Sequence, residues 1–129
     1  MNTKLLMSSS AGLLGATGMV LTFMPGEISQ FLKLNGSTAI VLQISGALYF
    51  GFAMLNWTAK GNLIGGIYSR PVAIGNFTHF MIGGLALIKL AMKNPGLTYV
   101  WIAAILYVIF ALLFGWIFFT NPVSAGKTV

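Results

Sequence analysis

Four apolar runs, residues 5–23, 38–58, 71–92 and 97–120, set the limits on what this chain can become. Even the shortest, as a helix rising 1.5 Å per residue, reaches roughly 28 Å. That matches a bilayer core of about 30 Å. Between them lie short connections. The solvent for most of this chain therefore has to be lipid or another helix. Composition agrees: 57% of the 129 residues are hydrophobic and 6% are charged, against about a quarter charged in a soluble domain. One carboxylate, Glu27, cannot solvate a water-exposed globule of this size. The expected fold is all-α: an integral membrane four-helix antiparallel bundle within one domain, residues 1–129. Backbone groups are satisfied inside each helix, as lipid demands.

The formal charge of +6 would suggest nucleic acid in a soluble protein. Here the lysines and arginine sit at the ends of apolar runs, so they read as anchors and topology signals rather than a nucleic-acid patch. Lys60, Arg70, Lys89 and Lys93 are the candidate contacts to lipid headgroups, with Lys89 inside its span but close enough to the end to snorkel. Basic residues in the short flanks favour, by four to three, both termini on the cytoplasmic side. The opening segment reads as a retained first helix rather than a signal peptide, since its apolar run continues to Phe23.

Met24-Pro25-Gly26 ends the first span, and residues 25–34 read as a short helix lying in the interface. There Ile28, Phe31 and Leu32 recur opposite Glu27, Gln30 and Lys33. Asn35-Gly36 is expected to end that helix and Ser37 to cap the next. The connection 59–70 is barely polar and is expected to lie along the membrane surface. Lys93-Asn-Pro-Gly96 is a tight turn, which makes the last two spans antiparallel neighbours.

Inside lipid, helices associate through close packing of small residues and through hydrogen bonds. Gly12 and Gly15 on the first span, Gly46 and Gly51 on the second, and Gly75 and Gly83 on the third are the candidate packing positions. At 100° per residue the third span puts Gly75, Asn76, His79, Gly83 and Ala86 on one face, expected to meet protein. Ile74, Phe77, Met81, Leu85, Ile88 and Met92 lie opposite, expected to meet lipid. Asn56-Trp57 reads as the exit of the second span into the interface.

Chemistry-bearing groups are few. His79 is the sole histidine and cysteine is absent. With Asn76 and Gln43, His79 forms the candidate ligand-binding or pore cluster, and an interhelical hydrogen bond is its plain structural counterpart. One histidine and one carboxylate supply neither paired carboxylates nor the three ligands of a metal site. No catalytic residue, metal or cofactor is therefore expected. The reading is a small membrane protein that binds a hydrophobic ligand or a partner membrane protein. The alternative is an oligomeric channel or transporter lined by His79, Asn76 and Gln43, and a lipid or quinone enzyme ranks third.

Four short spans, small size and an aromatic last helix, together with Leu55-Asn-Trp-Thr-Ala-Lys60 and Gly65-Gly-Ile-Tyr-Ser-Arg-Pro71, resemble the DoxX-like group of small bacterial membrane proteins. The resemblance is one of architecture across the whole chain. It implies a bacterial cytoplasmic-membrane protein and transfers no functional residue.

Overall fold

The computed structural model describes residues 2–62 and 69–120. The expectation for the connection falls largely on residues 63–68, which lie outside the described residues, as does the tail 121–129. Among the described residues the fold is all-α, with five helices: α1 (Thr3–Phe23), α2 (Pro25–Phe31), α3 (Thr38–Ala59), α4 (Arg70–Lys93) and α5 (Thr98–Thr120). Helices α1, α3, α4 and α5 are long and apolar enough to cross a membrane, and α2 is the short helix expected after the first span. The chain divides into two compact units, Met1–Gly61 and Asn62–Val129.

In the first unit α1 and α3 pair antiparallel. Asn2 caps α1 by accepting from the Leu5 N–H at 3.2 Å. Met24 closes α1 through its N–H to the Val20 carbonyl and opens α2, where Pro25 takes the first position, at which no N–H is needed. The helices approach most closely at Gly18 and Gly46. A Cβ on Gly18 would sit 2.8 Å from the Gly46 carbonyl oxygen, and one on Gly46 would sit 2.9 Å from that of Gly18. Backbones can come this near only where both residues lack a side chain.

Helix α2 ends earlier than expected, and by a different residue. Leu34 N–H bonds to the Ser29 carbonyl at 2.8 Å and Lys33 N–H to that of Gln30 at 3.0 Å. This is a Schellman closure. Its left-handed position is held by Lys33, with φ 53°, rather than by a glycine. Ser37 makes no capping side-chain bond to α3; its backbone is already helical, so its side chain is not aimed at the orphan N–H groups.

In the second unit α4 and α5 form an antiparallel hairpin. Leu97 N–H bonds to the Asn94 carbonyl at 3.1 Å around Pro95 and Gly96, and the Asn94 side chain donates to Leu90 O. The hairpin core is aromatic. Phe80 is wholly buried, its ring stacked on Phe110 and Phe114 at centroid distances of 4.9 and 5.8 Å and edge-on to Tyr107 at 5.1 Å. Such pairs contribute about 0.5–1.5 kcal/mol each beyond area burial.

The packed faces of α3 and α4 differ from expectation. On α4 the buried stripe is Ala73, Asn76, Phe80, Gly84 and Ala91, rotated by about one residue step (100°) from the polar and small face. Ala86 is exposed, and Phe77, expected to meet lipid, stacks on Phe118 instead. In a helix whose two faces are both apolar, rings that interlock with the partner's rings decide which side packs. On α3 the stripe is Gly46, Ala53, Asn56 and Ala59. Within the first unit a Cβ at Gly12 or Gly51 meets nothing within 4 Å, so neither takes part in the α1–α3 contact.

Candidate functional site

The sequence-derived cluster of His79, Asn76 and Gln43 is distributed over both units. Gln43 belongs to the first, where its amide donates to the Thr22 carbonyl at 3.4 Å, close to the Gly18–Gly46 crossing. Asn76 and His79 belong to α4. Asn76 is wholly buried and donates to the Val72 carbonyl of its own helix at 2.9 Å. His79 is half-buried; its Nε2 lies 3.4 Å from the Tyr107 hydroxyl, and which of the two donates depends on the imidazole tautomer. Gly83, one turn along α4, leaves the room that the Tyr107 ring occupies. A Cβ there would stand 2.7 Å from Cε1 of that ring.

The remaining candidates are placed as follows. Gly15 would bring a Cβ to ordinary contact with Ala53 Cβ at 3.5 Å, and Gly75 is half-buried. Lys60 sits just past α3 with its ammonium over the Trp57 ring, a cation–π contact one turn apart. Arg70, Lys89 and Lys93 are exposed, at the first residue, in the last turns and at the last residue of α4.

Asn56 needs the largest revision. Expected at the exit into the interface, it is wholly buried, and its amide donates to Ser10 Oγ at 3.0 Å. Helix α3 runs on to Ala59, which leaves Asn56 a turn inside the helix and on the stripe that faces α1. Ser10 in turn donates to the Met7 carbonyl at 3.0 Å. No buried side-chain nitrogen or oxygen among the described residues lacks a partner.

The feature that sequence reasoning missed is a groove of about 510 Å³ along the α4–α5 hairpin. Gly84, Ala111 and Gly115 form its floor, with Phe77 and Phe80 beside them and Leu85, Leu112, Trp116 and Phe119 as its open walls. Its one side-chain hydrogen-bonding group besides the Trp116 indole is the Thr120 hydroxyl, which is turned onto the Trp116 carbonyl. The volume falls within the range of small-molecule sites, and the lining suits an apolar occupant. A signal for it exists in the sequence: Tyr107, Phe110, Phe114 and Phe118 recur at three- and four-residue spacing along α5, beside the small residues Ala111 and Gly115. Neither His79 nor Asn76 lines this groove.

Chemically, the groove offers shape and apolar surface. Among the described residues, no three histidine, aspartate or glutamate side chains come together to hold a metal ion. Among the described residues the fold is that of a small helical protein with four membrane-length spans and an apolar furrow along α4 and α5. No protein-family model, curated protein or solved structure matches the chain.

Proposed function

We propose that this protein is a non-enzymatic membrane component that binds a hydrophobic ligand along the α4–α5 hairpin. The observation that carries the reading is the 510 Å³ groove with its small-residue floor and aromatic walls. A helix pair in lipid gains nothing from hiding apolar surface, because the tails are as apolar as the side chains. A concave furrow of fixed shape is different, since an occupant that fits it recovers dispersion contacts that a disordered tail makes poorly. The aromatic ladder through Phe80 holds that shape. Membrane lipids, a partner membrane protein or a second copy are the available occupants. The DoxX-like resemblance contributes a bacterial cytoplasmic-membrane setting to the proposal and no site residue.

The channel alternative would place His79, Asn76 and Gln43 toward a lumen. The Asn76 amide is instead buried against its own helix and the Gln43 amide is engaged with Thr22, so the groove is the better-supported site.

A protein with Trp116 as its only tryptophan (Trp57→Phe, Trp101→Phe) tests the reading. Alkyl chains brominated near their polar end, level with Trp116 close to the end of α5, should quench its fluorescence saturably, and Leu112→Phe, which narrows the groove, should abolish saturation. Quenching that rises linearly with probe and ignores the substitution would reject a binding groove.

A further inference from the structure

Asparagine turns into an acidic residue when the backbone nitrogen of the next residue attacks its side-chain amide, one reason it counts among the thermolabile residues. The step needs an unhindered following residue, a free side-chain amide and a free backbone N–H. The chain has seven asparagines, and only Asn35 precedes a glycine. Asn94 and Asn121 precede proline, which has no N–H to lose, and Asn62 precedes a leucine. Asn56 and Asn76 are wholly buried, their amides bonded to Ser10 Oγ and the Val72 carbonyl. Asn2 is occupied in capping α1.

Asn35 and Gly36 are both exposed in the connection between α2 and α3. The Asn35 carbonyl accepts from the Thr38 N–H at 2.9 Å and from the buried Ser29 hydroxyl at 3.4 Å. The Gly36 N–H belongs to the same trans peptide unit, so it points the opposite way, out of the turn. Among the described residues neither that N–H nor the Asn35 side-chain amide has a hydrogen-bond partner. A Cβ on Gly36 would meet nothing within 4 Å, so no packed neighbour stands over the attacking nitrogen. We infer that Asn35 is a site of spontaneous covalent modification, in which the Gly36 nitrogen attacks Asn35 Cγ to close a succinimide. The new N–Cγ bond replaces the Cγ–Nδ2 bond, and ammonia leaves with the proton from the Gly36 nitrogen. Water then opens either imide carbonyl, giving aspartate or, with the chain rerouted through the side chain, isoaspartate. Helix α2 and its loop carry one acid, Glu27, and one base, Lys33. Conversion therefore gives that end of the first unit a net negative charge, opposite in sign to Lys4 and Lys60 at the other end.

The test is peptide mapping of the full chain in detergent micelles, held at mildly alkaline pH and sampled over days, with fragmentation that separates isoaspartate from aspartate. The amide-to-acid mass gain should fall on Asn35 before any other asparagine, with isoaspartate among the products. Its rate should be close to that of the chain unfolded in denaturant, and should rise with pH because the attacking species is the deprotonated nitrogen. Gly36→Ala, whose Cβ has open space, should keep the fold and slow conversion severalfold, since the added methyl group hinders the closing ring. Asn35→Gln should all but abolish it. Aspartate without isoaspartate would mean direct hydrolysis and overturn the cyclic route. Conversion far slower in the folded protein than in the unfolded chain would show that the α2–α3 connection shields the pair, against the inference. First conversion at Asn62 or Asn94, or a Gly36→Ala rate equal to that of wild type, would overturn it as well.

Discussion

Asn56 on α3 donates a hydrogen bond to Ser10 on α1 across 3.0 Å, with both side chains wholly buried. This is a buried polar tie in the first unit, set between the stripe of Leu14 and Gly18 on one side and Leu6 and Met7 on the other. Interhelical bonds of this kind contribute about 0.6 kcal/mol on average in membranes and up to about 1.7. A double-mutant cycle of Ser10→Ala and Asn56→Leu, followed by denaturation in mixed micelles, should give a coupling in that range. Strict additivity of the two substitutions would show that the pair contributes nothing.

Gly18 and Gly46 mark the point where α1 and α3 touch through their backbones. Gly46→Ala should destabilise the first unit by about 1–3 kcal/mol, the usual cost of overpacking, because its Cβ would meet the Thr22 nitrogen at 2.8 Å. Gly12→Ala and Gly51→Ala should be neutral or stabilising by up to about 1 kcal/mol, since each gains helix propensity in open space. Thermal melts followed by circular dichroism separate the two classes. Equal losses at all three positions would contradict the placement.

The Tyr107 ring fills the space above Gly83, and its hydroxyl reaches His79. At 3.4 Å that bond lies beyond the usual range, so Tyr107→Phe should cost no more than about 0.6 kcal/mol. Gly83→Ala, which forces the ring to move, should cost about 1–3 kcal/mol. His79→Ala should resemble Tyr107→Phe in stability and leave Trp116 quenching unchanged, because His79 does not line the groove. The reverse order, with Tyr107→Phe the more damaging, would assign the polar contact the larger share.

Lys33 occupies a left-handed conformation, φ 53°, where a Cβ crowds the following carbonyl. Lys33→Gly should therefore stabilise the α2 closure by about 0.5–1 kcal/mol once the greater freedom of glycine in the unfolded chain is subtracted. Hydrogen exchange at the Lys33 and Leu34 amides should slow. Faster exchange there would mean the lysine side chain contributes more than its backbone costs.

The spans were legible from sequence because their length and apolarity alone set them, and Pro25 and the Asn94–Gly96 turn were legible because backbone rules fix such residues locally. Which face of each span packs was not. Phe77 and Phe80 show why: in a helix apolar all round, burial depends on the rings of the partner, and nothing in α4 by itself announces Phe110 and Phe114. Asn56 was misplaced for a related reason, since its role depends on Ser10, 46 residues away. Gly12 and Gly51, singled out from sequence, stand in open space, whereas Gly18 and Gly84, which were not, pack closely. The turn at residues 93–96 made α4 and α5 neighbours from sequence, but the groove depends on which of their faces meet, and that was not legible.

Photocrosslinking in native membranes tests the central claim most directly. A diazirine side chain at Leu85 or Leu112, on the groove walls, is compared with one at Ile82, which is 64% exposed and does not line the groove. The account predicts a discrete small hydrophobic adduct, one per chain, at Leu85 and Leu112, and only diffuse lipid labelling at Ile82. Identical labelling at all three positions would contradict a binding groove between α4 and α5.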